Sequence, residues 1–302
     1  MKLLSFGEIL FDVFPEGEYI GGAPLNLASH SAIQGADAYI MSAIGRDTLG
    51  LSAISEVKKL GVKTEYISSV DGISTGKCIV TLDEKAVPSY NLLTNVAYDY
   101  IPFPAFSEKF DVFCFGTLAL RSEYNLKTVK KVIDSGVADT VYCDLNIRKP
   151  FSTENAVKFC LENAHILKIS DEEMPFVTKA VFNRDLSIQE AITELCRCFK
   201  QIQIIIITLG ADGSLAYVKD SDTIHKAEAV PTKVLSTVGA GDSFGATFVT
   251  QYFKGKSIDD CLSAASRVSS FVVSKEGAVP DGIKEFIKTL FPALNGEHSF
   301  IL

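Results

Sequence analysis

The alternation of short apolar runs with longer amphipathic stretches is the feature that most constrains the fold. Runs of strand length recur along the chain and read KLLSFG, AYIMSAIG, DVFCFG, TVYCDL, HILKIS and QIIIITLG. Residues 24–35, 47–61 and 122–136 have helix length and are bounded by capping signals. Fully apolar strands separated by helices are typical of a parallel sheet covered on both faces. The sequence therefore predicts an α/β chain with a mostly parallel central sheet.

Residues 64–100 have a different pattern. The β-prone runs EYISSV, GKCIVTLD and PSYNLLT are separated by turn residues, with no helical stretch between them. Together with residues 9–20 they can form a small antiparallel sheet that stands off the main one and acts as a lid. The alternative is an extension of the edge of the main sheet. We predict a single domain over 1–302 whose lid consists of about residues 9–20 and 64–100.

Composition excludes several classes of protein. With 302 residues and 47% apolar composition, the chain can bury a large core. Its net charge of −8 is a poor match for nucleic acid or an anionic membrane. No apolar run reaches the roughly 20 residues of a spanning helix, and Glu8 and Asp12 interrupt the N-terminal run where a signal peptide stays apolar. We expect a cytoplasmic protein with neither nucleic acid nor membrane as partner.

Cysteines and histidines do not form a recognisable site. The seven cysteines include no C-x-x-C pair and lie mostly in apolar runs, which predicts reduced, buried thiols. The four histidines lack the spacing of metal ligands. Zinc chemistry and a histidine-based mechanism therefore have little support.

The segment STVGAGDSFGATFVTQYF places Gly239, Ala240 and Gly241 directly before an amphipathic helix. Small residues there leave backbone N–H groups open at the positive end of the helix dipole, which suits an anion. Asp242 lies in the same first turn and could accept the proton of an attacking hydroxyl while those amides stabilise a migrating phosphoryl group. The alternative is that Asp242 only complements the helix terminus.

Two further strand ends carry groups suited to a nucleotide. The strand QIIIITLG leads into Thr208, Gly210 and Gly213 at the edge where ligands of open α/β sheets bind, although a plain tight turn explains them equally well. The segment HILKISDEEMPFV ends in an acidic cluster. There Glu173 could orient water bound to Mg²⁺, or Ser170 and Glu173 could form a capping box.

A third group of residues suits a polyhydroxylated ligand. Asp12, the pair Gly21–Gly22 and Asn26 combine a carboxylate, flat backbone and an amide within a short segment. The segment CDLNIRKP adds Asp144, Asn146 and Arg148 after another strand, where arginine could offset phosphate charge. Taken singly, these are turn, solvated helix or solvated loop residues.

Two widely separated segments, GGAPLNLASHSAIQGADAYIMSAIGRDTLG and TVGAGDSFGATF, resemble the paired signatures of the PfkB (ribokinase-like) sugar kinases. The resemblance spans essentially the whole chain. It implies a three-layer α/β/α sandwich with a small β-sheet lid, and transfer of phosphate from ATP to a sugar hydroxyl with Mg²⁺. It assigns the catalytic base to Asp242 and the anion hole to Gly239, Ala240 and Gly241.

The same resemblance implies three sets of binding residues. The sugar set is Asp12, Gly21, Gly22, Asn26, Asn146 and Arg148; the nucleotide set is Lys168, Ser170, Thr208, Gly210, Gly213 and Ser266; the metal-linked acid is Glu173. Among subgroups, GEILFD, GGAPLN, DLNIR and LKISDEE are most similar to bacterial fructokinases. Fructose is therefore the expected substrate, with ribose and 2-keto-3-deoxygluconate as alternatives, and a homodimer could form through the lid.

The sequence departs from the family pattern at three serines. Ser236 stands where members activated by a monovalent cation carry Asp, which leaves potassium activation open. Ser170 replaces the Asn of the N-x-x-E motif, and Ser266 replaces an Asn on a late helix, so turnover or nucleotide preference could differ. A sugar-binding pseudokinase is accordingly an alternative, because an incomplete electrostatic site loses rate before binding.

Other enzyme classes fit less well. GDSFG matches the nucleophile elbow of α/β-hydrolases at Ser243, but only His298 follows it and the preceding segment is polar. No G-x-G-x-x-G follows the first strand, and GISTGKC departs from a P-loop in spacing and at Cys78. A hydrolase and a dinucleotide-binding enzyme are thus disfavoured.

Overall fold

The computed structural model describes residues 1–15, 17–82 and 88–292. The strands are β1 Lys2–Phe6, β2 Leu10–Phe14, β3 Gly17–Gly21, β4 Asp37–Gly45, β5 Ile67–Val70, β6 Gly76–Leu82, β7 Pro88–Leu92, β8 Phe110–Phe115, β9 Ala138–Asp144, β10 Ile166–Ser170, β11 Ile204–Thr208, β12 Ser214–Val218 and β13 Thr223–Ala227. The helices are α1 Ala23–Ile33, α2 Thr48–Lys59, α3 Glu123–Asp134, α4 Glu154–Asn163, α5 Met174–Phe182, α6 Ile188–Cys198, α7 Ala240–Phe253, α8 Ile258–Val273 and α9 Ile283–Leu290. The first three helices closely match the stretches predicted from capping signals.

Within the described residues, nine strands form the main sheet in the order β13, β12, β11, β10, β9, β8, β1, β4, β5. All neighbours from β11 to β5 pair in parallel, and β12 runs antiparallel to both of its neighbours. The carboxyl ends of β1, β9, β10 and β11 therefore meet at one edge. Ligands of open α/β sheets bind at this edge.

Both faces of the main sheet are covered by helices. Along β11, Ile204 and Ile206 pack in the core shared with α1, α2, α7 and α8, whereas Ile205 and Ile207 pack in the core shared with α3 to α6. These four isoleucines are nearly or fully buried, and each such side chain stabilises the fold by about 1.5–3 kcal/mol relative to exposure. The predicted three-layer α/β/α arrangement around a mostly parallel sheet is confirmed.

Four strands of the described chain form a separate small sheet in the order β3, β2, β6, β7. The outer pairs run antiparallel, but the central pair β2–β6 runs parallel, so the sheet is mixed and not antiparallel as predicted. Strand β2 follows β1 after a three-residue connection, residues 7–9, and Phe11 anchors it in the main core. Glu16 and residues 83–87, which belong to the predicted lid segments, lie outside the described residues.

The run EYISSV was expected in the lid and instead forms β5 at the edge of the main sheet. Strand β5 pairs in parallel with residues 42–45 of β4. The adjoining Tyr66 packs against Tyr39 and Phe110 in the core. Burial of this aromatic ring draws the run to the main sheet, so the edge-extension alternative is correct for this segment.

A buried ion pair between Arg121 and Asp99 lies where the chain leaves the small sheet and re-enters the main one. Arg121 Nε donates to Asp99 Oδ1 (2.7 Å), and Arg121 Nη2 donates to Asp99 Oδ2 (3.0 Å) and to the carbonyl of Leu93 (2.8 Å). The guanidinium also stacks over the ring of Tyr98, at 4.8 Å from its centroid. A bidentate pair of this kind fixes geometry as well as charge, so it anchors the end of β7 to the main sheet.

Within 1–15, 17–82 and 88–292, no helix has the length and apolar character that crossing a bilayer requires.

Candidate active site

Helix α7 begins at a glycine in the left-handed conformation. Gly239 has φ 77° and caps the helix, and a Cβ at this position would lie 2.6 Å from Cα of Ala278, so a larger residue does not fit. The first i→i−4 bond of the helix runs from the amide of Ser243 to the carbonyl of Gly239 (2.9 Å). The amides of Gly241 and Asp242 precede that bond at the positive end of the helix dipole, a geometry that suits an anion.

Asp242 links α7 to α1. Its Oδ2 accepts a hydrogen bond from Asn26 Nδ2 at 2.7 Å, and the residue is 9% exposed. Burial raises the pKa of Asp242, while the bond from Asn26 and the positive charges of Lys168 and Arg148 act in the opposite direction. A buried carboxylate with one oxygen already held by an amide is suited to accept a proton at the other.

Lys168 on β10 lies beneath the start of α7. Its Nζ donates to Asp144 Oδ1 (3.0 Å) and Oδ2 (2.8 Å) and lies 3.2 Å from the Cβ position of Gly241. Burial opposes the charged ammonium, yet the charges of Asp144, Glu173 and Asp242 raise the pKa of Lys168 overall. Burial raises the pKa of Asp144 to about 6, with Lys168 acting against it. The geometry thus places the Lys168 ammonium, held by both oxygens of Asp144, beside the first amides of α7.

The GDSFG segment has a structural explanation. Ser243 is fully buried and its hydroxyl donates to the carbonyl of Ala240 (3.0 Å). A Cβ at Gly245 would lie 2.2 Å from the Tyr142 hydroxyl, so the second glycine allows α7 to pack on β9. Residue His298, which a hydrolase would need, lies outside the described residues. Nothing in this geometry resembles an exposed nucleophile.

Glu173 holds two backbone segments. Ser170 N donates to Glu173 Oε2 (2.8 Å) and Glu173 N donates to Ser170 Oγ (3.2 Å), which is the reciprocal capping box considered from the sequence. In addition, Ile147 N donates to Glu173 Oε1 (2.5 Å). Glu173 thus also holds the loop that carries Arg148.

The surroundings of Glu173 fit a magnesium ion held mainly by phosphate and water. Among the described residues, no group of three or more His, Cys, Asp or Glu side chains could hold a metal by itself. Mg²⁺ usually keeps several waters and needs only one or two carboxylates beside the phosphates. Because each carboxylate oxygen has two lone pairs, Glu173 can accept from a metal-bound water while it holds its two amides.

The predicted nucleotide residues follow neighbouring strands. Ser170 and Thr208 are in parallel register at the ends of β10 and β11. Gly210 opens a short turn that ends at Gly213, which has φ 95° and whose Cβ would lie 2.2 Å from the carbonyl of Ala227. Ser266 lies apart from these, 9% exposed on α8. Four of the predicted nucleotide residues therefore flank one sheet edge: Ser170, Thr208, Gly210 and Gly213. Ser266 belongs to α8, the helix beside α7.

The predicted sugar residues lie at the junction of the small sheet and α1. Asp12 is in register with Cys78 across β2 and β6, and its Oδ2 lies 3.1 Å from the Cβ position of Gly21. Burial raises the pKa of Asp12, partly offset by the Cys78 thiol and by Arg148. Asn26 lies one turn into α1 and reaches Asp242. The sugar residues and the proposed base therefore form one continuous cluster.

Arg148 lies in the loop that follows β9 and carries a positive charge. Its side chain is exposed, and its amide donates to Ser152 Oγ (2.8 Å) in the loop that Asn146 enters with φ 41°. Burial raises the pKa of Asp242 and of Asp12, and the positive charge of Arg148 acts against that rise in both.

Sequence reasoning missed one acid of the cluster. Glu8 was noted only as a charge that interrupts the N-terminal apolar run, yet it is 4% exposed and burial raises its pKa to about 7. The available signal was its position directly after β1, at the same carboxyl edge as Asp144 and Ser170.

Ser236 stands at the position where pfkB-type kinases that are activated by a monovalent cation carry Asp. Its hydroxyl accepts from the amide of Val238 (3.2 Å).

Comparison with known proteins gives relatives over most of the chain. The chain is 27% identical over 311 residues to "Probable fructokinase-5" of Arabidopsis thaliana, covering 92% of this chain and 93% of the relative. It is 26% identical over 293 residues to a 5-dehydro-2-deoxygluconokinase of Listeria monocytogenes, covering 92% and 88%. The two relatives are named for different sugars.

A solved structure and a family model agree with these relatives. An uncharacterized sugar kinase from Pyrococcus horikoshii, solved in complex with ATP, superimposes with a TM-score of 0.77 at 25% identity, covering 91% of this chain and 93% of that one. The likeness confirms the predicted ribokinase-like fold. Residues 6–284 match the model described as pfkB family carbohydrate kinase. The chain therefore belongs to the pfkB family of carbohydrate kinases.

Proposed function

We propose that the chain is an ATP-dependent fructokinase that transfers the γ-phosphate of ATP to a hydroxyl of fructose. One observation carries the proposal: the buried carboxylate of Asp242 lies between an amide from the sugar-side helix and the open amides of α7. The ammonium of Lys168 lies beside the same amides. A proton acceptor and a set of fixed positive dipoles at one point are what phosphoryl transfer to an alcohol needs.

On the nucleotide side, the phosphates are assigned to the α7 amides and Lys168, and the remainder of ATP to the edge around Thr208, Gly210 and Gly213. Support comes from the similar sugar kinase whose structure was solved with ATP. Glu173 would hold a water of the Mg²⁺ ion that accompanies ATP, and that ion would neutralise charge on the transferring phosphate.

On the sugar side, Asp12, Gly21, Gly22 and Asn26 are assigned to the hydroxyls of the substrate. Asn26 keeps Oδ2 of Asp242 engaged at 2.7 Å, so Oδ1 accepts the proton of the attacking hydroxyl. The small sheet formed by β2, β3, β6 and β7 would close over the sugar and exclude water, which suppresses hydrolysis of ATP.

The choice of fructose is tested by a coupled ADP-release assay with fructose, ribose, 2-keto-3-deoxygluconate, 5-dehydro-2-deoxygluconate and adenosine. The last sugar acid is included because a relative is named for its phosphorylation. We expect the largest kcat/KM for fructose. A higher value for another sugar would replace fructose and leave the kinase assignment intact; absence of ADP release with every acceptor, with and without potassium, would remove it.

A sugar-binding pseudokinase is the second candidate, favoured by Ser170 in place of the family's Asn. It predicts sugar binding by calorimetry without ADP release. The presence of Asp242 and Lys168 at α7 argues for the active enzyme.

Arg148→Gln tests the electrostatics of the base. Arg148 lowers the pKa of Asp242, so its removal raises that pKa, and Asp242 then becomes protonated at higher pH. We expect the acid limb of the profile of log kcat/KM against pH to move to higher pH, with a loss of about tenfold in kcat/KM at neutral pH. Arg148→Lys, which keeps the charge, should keep the acid limb near its original position. An unmoved limb in Arg148→Gln would contradict the assignment of that limb to Asp242.

Two broader predictions accompany the proposal. Cytoplasmic location is supported by the free state of all seven cysteines, five of them buried. Pairing of two chains through the small sheet would use its outer strands β3 and β7, which have no further strand beside them among the described residues.

A further inference from the structure

Glu8 is a buried acid that the proposed reaction does not use. It follows β1 and Gly7 and is 4% exposed. An acid is seldom buried without partners, because desolvation of its charge is costly. Its position therefore calls for a role.

The contacts of Glu8 lead to the glycine turn of the sugar cluster. Its Oε1 accepts the amide of Ala23, the first residue of α1, at 3.2 Å. A Cβ at Gly22 would lie 2.2 Å from the Glu8 carbonyl oxygen and 3.4 Å from its Cγ. Gly22, at φ 121°, is therefore pressed against Glu8, and the turn that leads into Asn26 is shaped on this residue.

Charged groups from several elements face Glu8. Burial and the negative charge of Asp242 on α7 raise its pKa to about 7, while Arg148 lowers it. Burial raises the pKa of Tyr98, and the charge of Glu8 acts in the same direction. By its contacts, Glu8 lies against the glycine turn that leads into α1.

We propose that Glu8 is a positioning residue, whose carboxyl holds the amide of Ala23 and so fixes the Gly21–Gly22 turn against which the sugar binds. The role of that turn in sugar binding rests on the proposed function. Glu8 acts on the substrate through the backbone of residues 21–23 and on Asn26 through the orientation of α1.

The test compares Glu8→Ala with Glu8→Gln. Alanine removes the acceptor, so we expect the KM for the sugar to rise about tenfold or more with kcat changed much less, since a bond to a buried group is lost on the binding side. Glutamine keeps a carbonyl oxygen of nearly the same reach and resembles the protonated acid, so its KM should return to within about threefold of the unchanged chain. Glu162→Ala, an exposed acid on α4, is the matched control and should leave KM unchanged.

Amide hydrogen exchange gives a readout that needs no turnover. We expect a peptide covering residues 21–26 to exchange faster in Glu8→Ala and at the original rate in Glu8→Gln. Unchanged KM and exchange in Glu8→Ala would overturn the inference, as would equal losses of kcat and thermal stability in both variants. Failure of the unchanged chain to phosphorylate any sugar would instead overturn the proposed function, and exchange would still decide the role of Glu8.

Discussion

Replacing Asp242 with asparagine is expected to lower kcat by about a hundredfold or more while leaving sugar affinity close to that of the unchanged chain. Asparagine keeps an oxygen that can accept the 2.7 Å bond from Asn26, so the fold is preserved while the proton acceptor is lost. Steady-state ADP release gives kcat, and calorimetry gives the dissociation constant of the sugar.

Ser243→Ala is the control for Asp242→Asn. The Ser243 hydroxyl donates only within its own helix, to the carbonyl of Ala240, and that carbonyl also accepts from Ser269 Oγ (3.1 Å). Turnover should therefore survive this change. If Asp242→Asn keeps nearly full activity, Asp242 is not the base. If Ser243→Ala loses ADP release to the same extent, the loss reports disruption of the start of α7 and not removal of the proton acceptor.

Replacing Lys168 with methionine is expected to cost both activity and stability. We expect kcat to fall by about a hundredfold or more, because a fixed charge beside the transferring phosphate is lost. Breaking a buried ion pair leaves Asp144 uncompensated, which destabilises the fold by about 3–5 kcal/mol. Urea denaturation measures the free energy of unfolding, and the ADP assay measures kcat.

The double variant Lys168→Met with Asp144→Asn separates the two effects. Asparagine removes the stranded charge, so stability should largely return while turnover stays low. Recovery of both together would mean that Lys168 serves only to neutralise Asp144, and the assignment of Lys168 to the phosphates would then be wrong.

The layered fold follows from local patterns, whereas strand partners do not. The burial of Ile204–Ile207 on both faces of the sheet and the capping signals are read directly from neighbouring residues, and both are confirmed. The run around Ile67 has the same β-prone character as the strands of the small sheet. Its place beside β4 depends on the packing of Tyr66 against Phe110, a contact between residues far apart in sequence. No local pattern encodes such a choice.

The site was predictable to a similar extent. Asp242, Asn26 and Glu173 lie in motifs with a stated chemical reason, and their positions could be inferred one at a time. Their mutual contacts could not be inferred, because the bond from Asn26 to Asp242 and that from Ile147 to Glu173 join separate elements. Glu8 has no motif around it, and its importance follows only from burial.

The bond between Asn26 and Asp242 joins residues 216 positions apart. Contacts of such sequence separation form late, because a long loop must close before they are made. On the proposed assignment of the base, a growing chain that has not yet released α7 carries α1 but lacks the proton acceptor, so it cannot phosphorylate a sugar. Recovery of activity after denaturation would then report on closure of the whole topology.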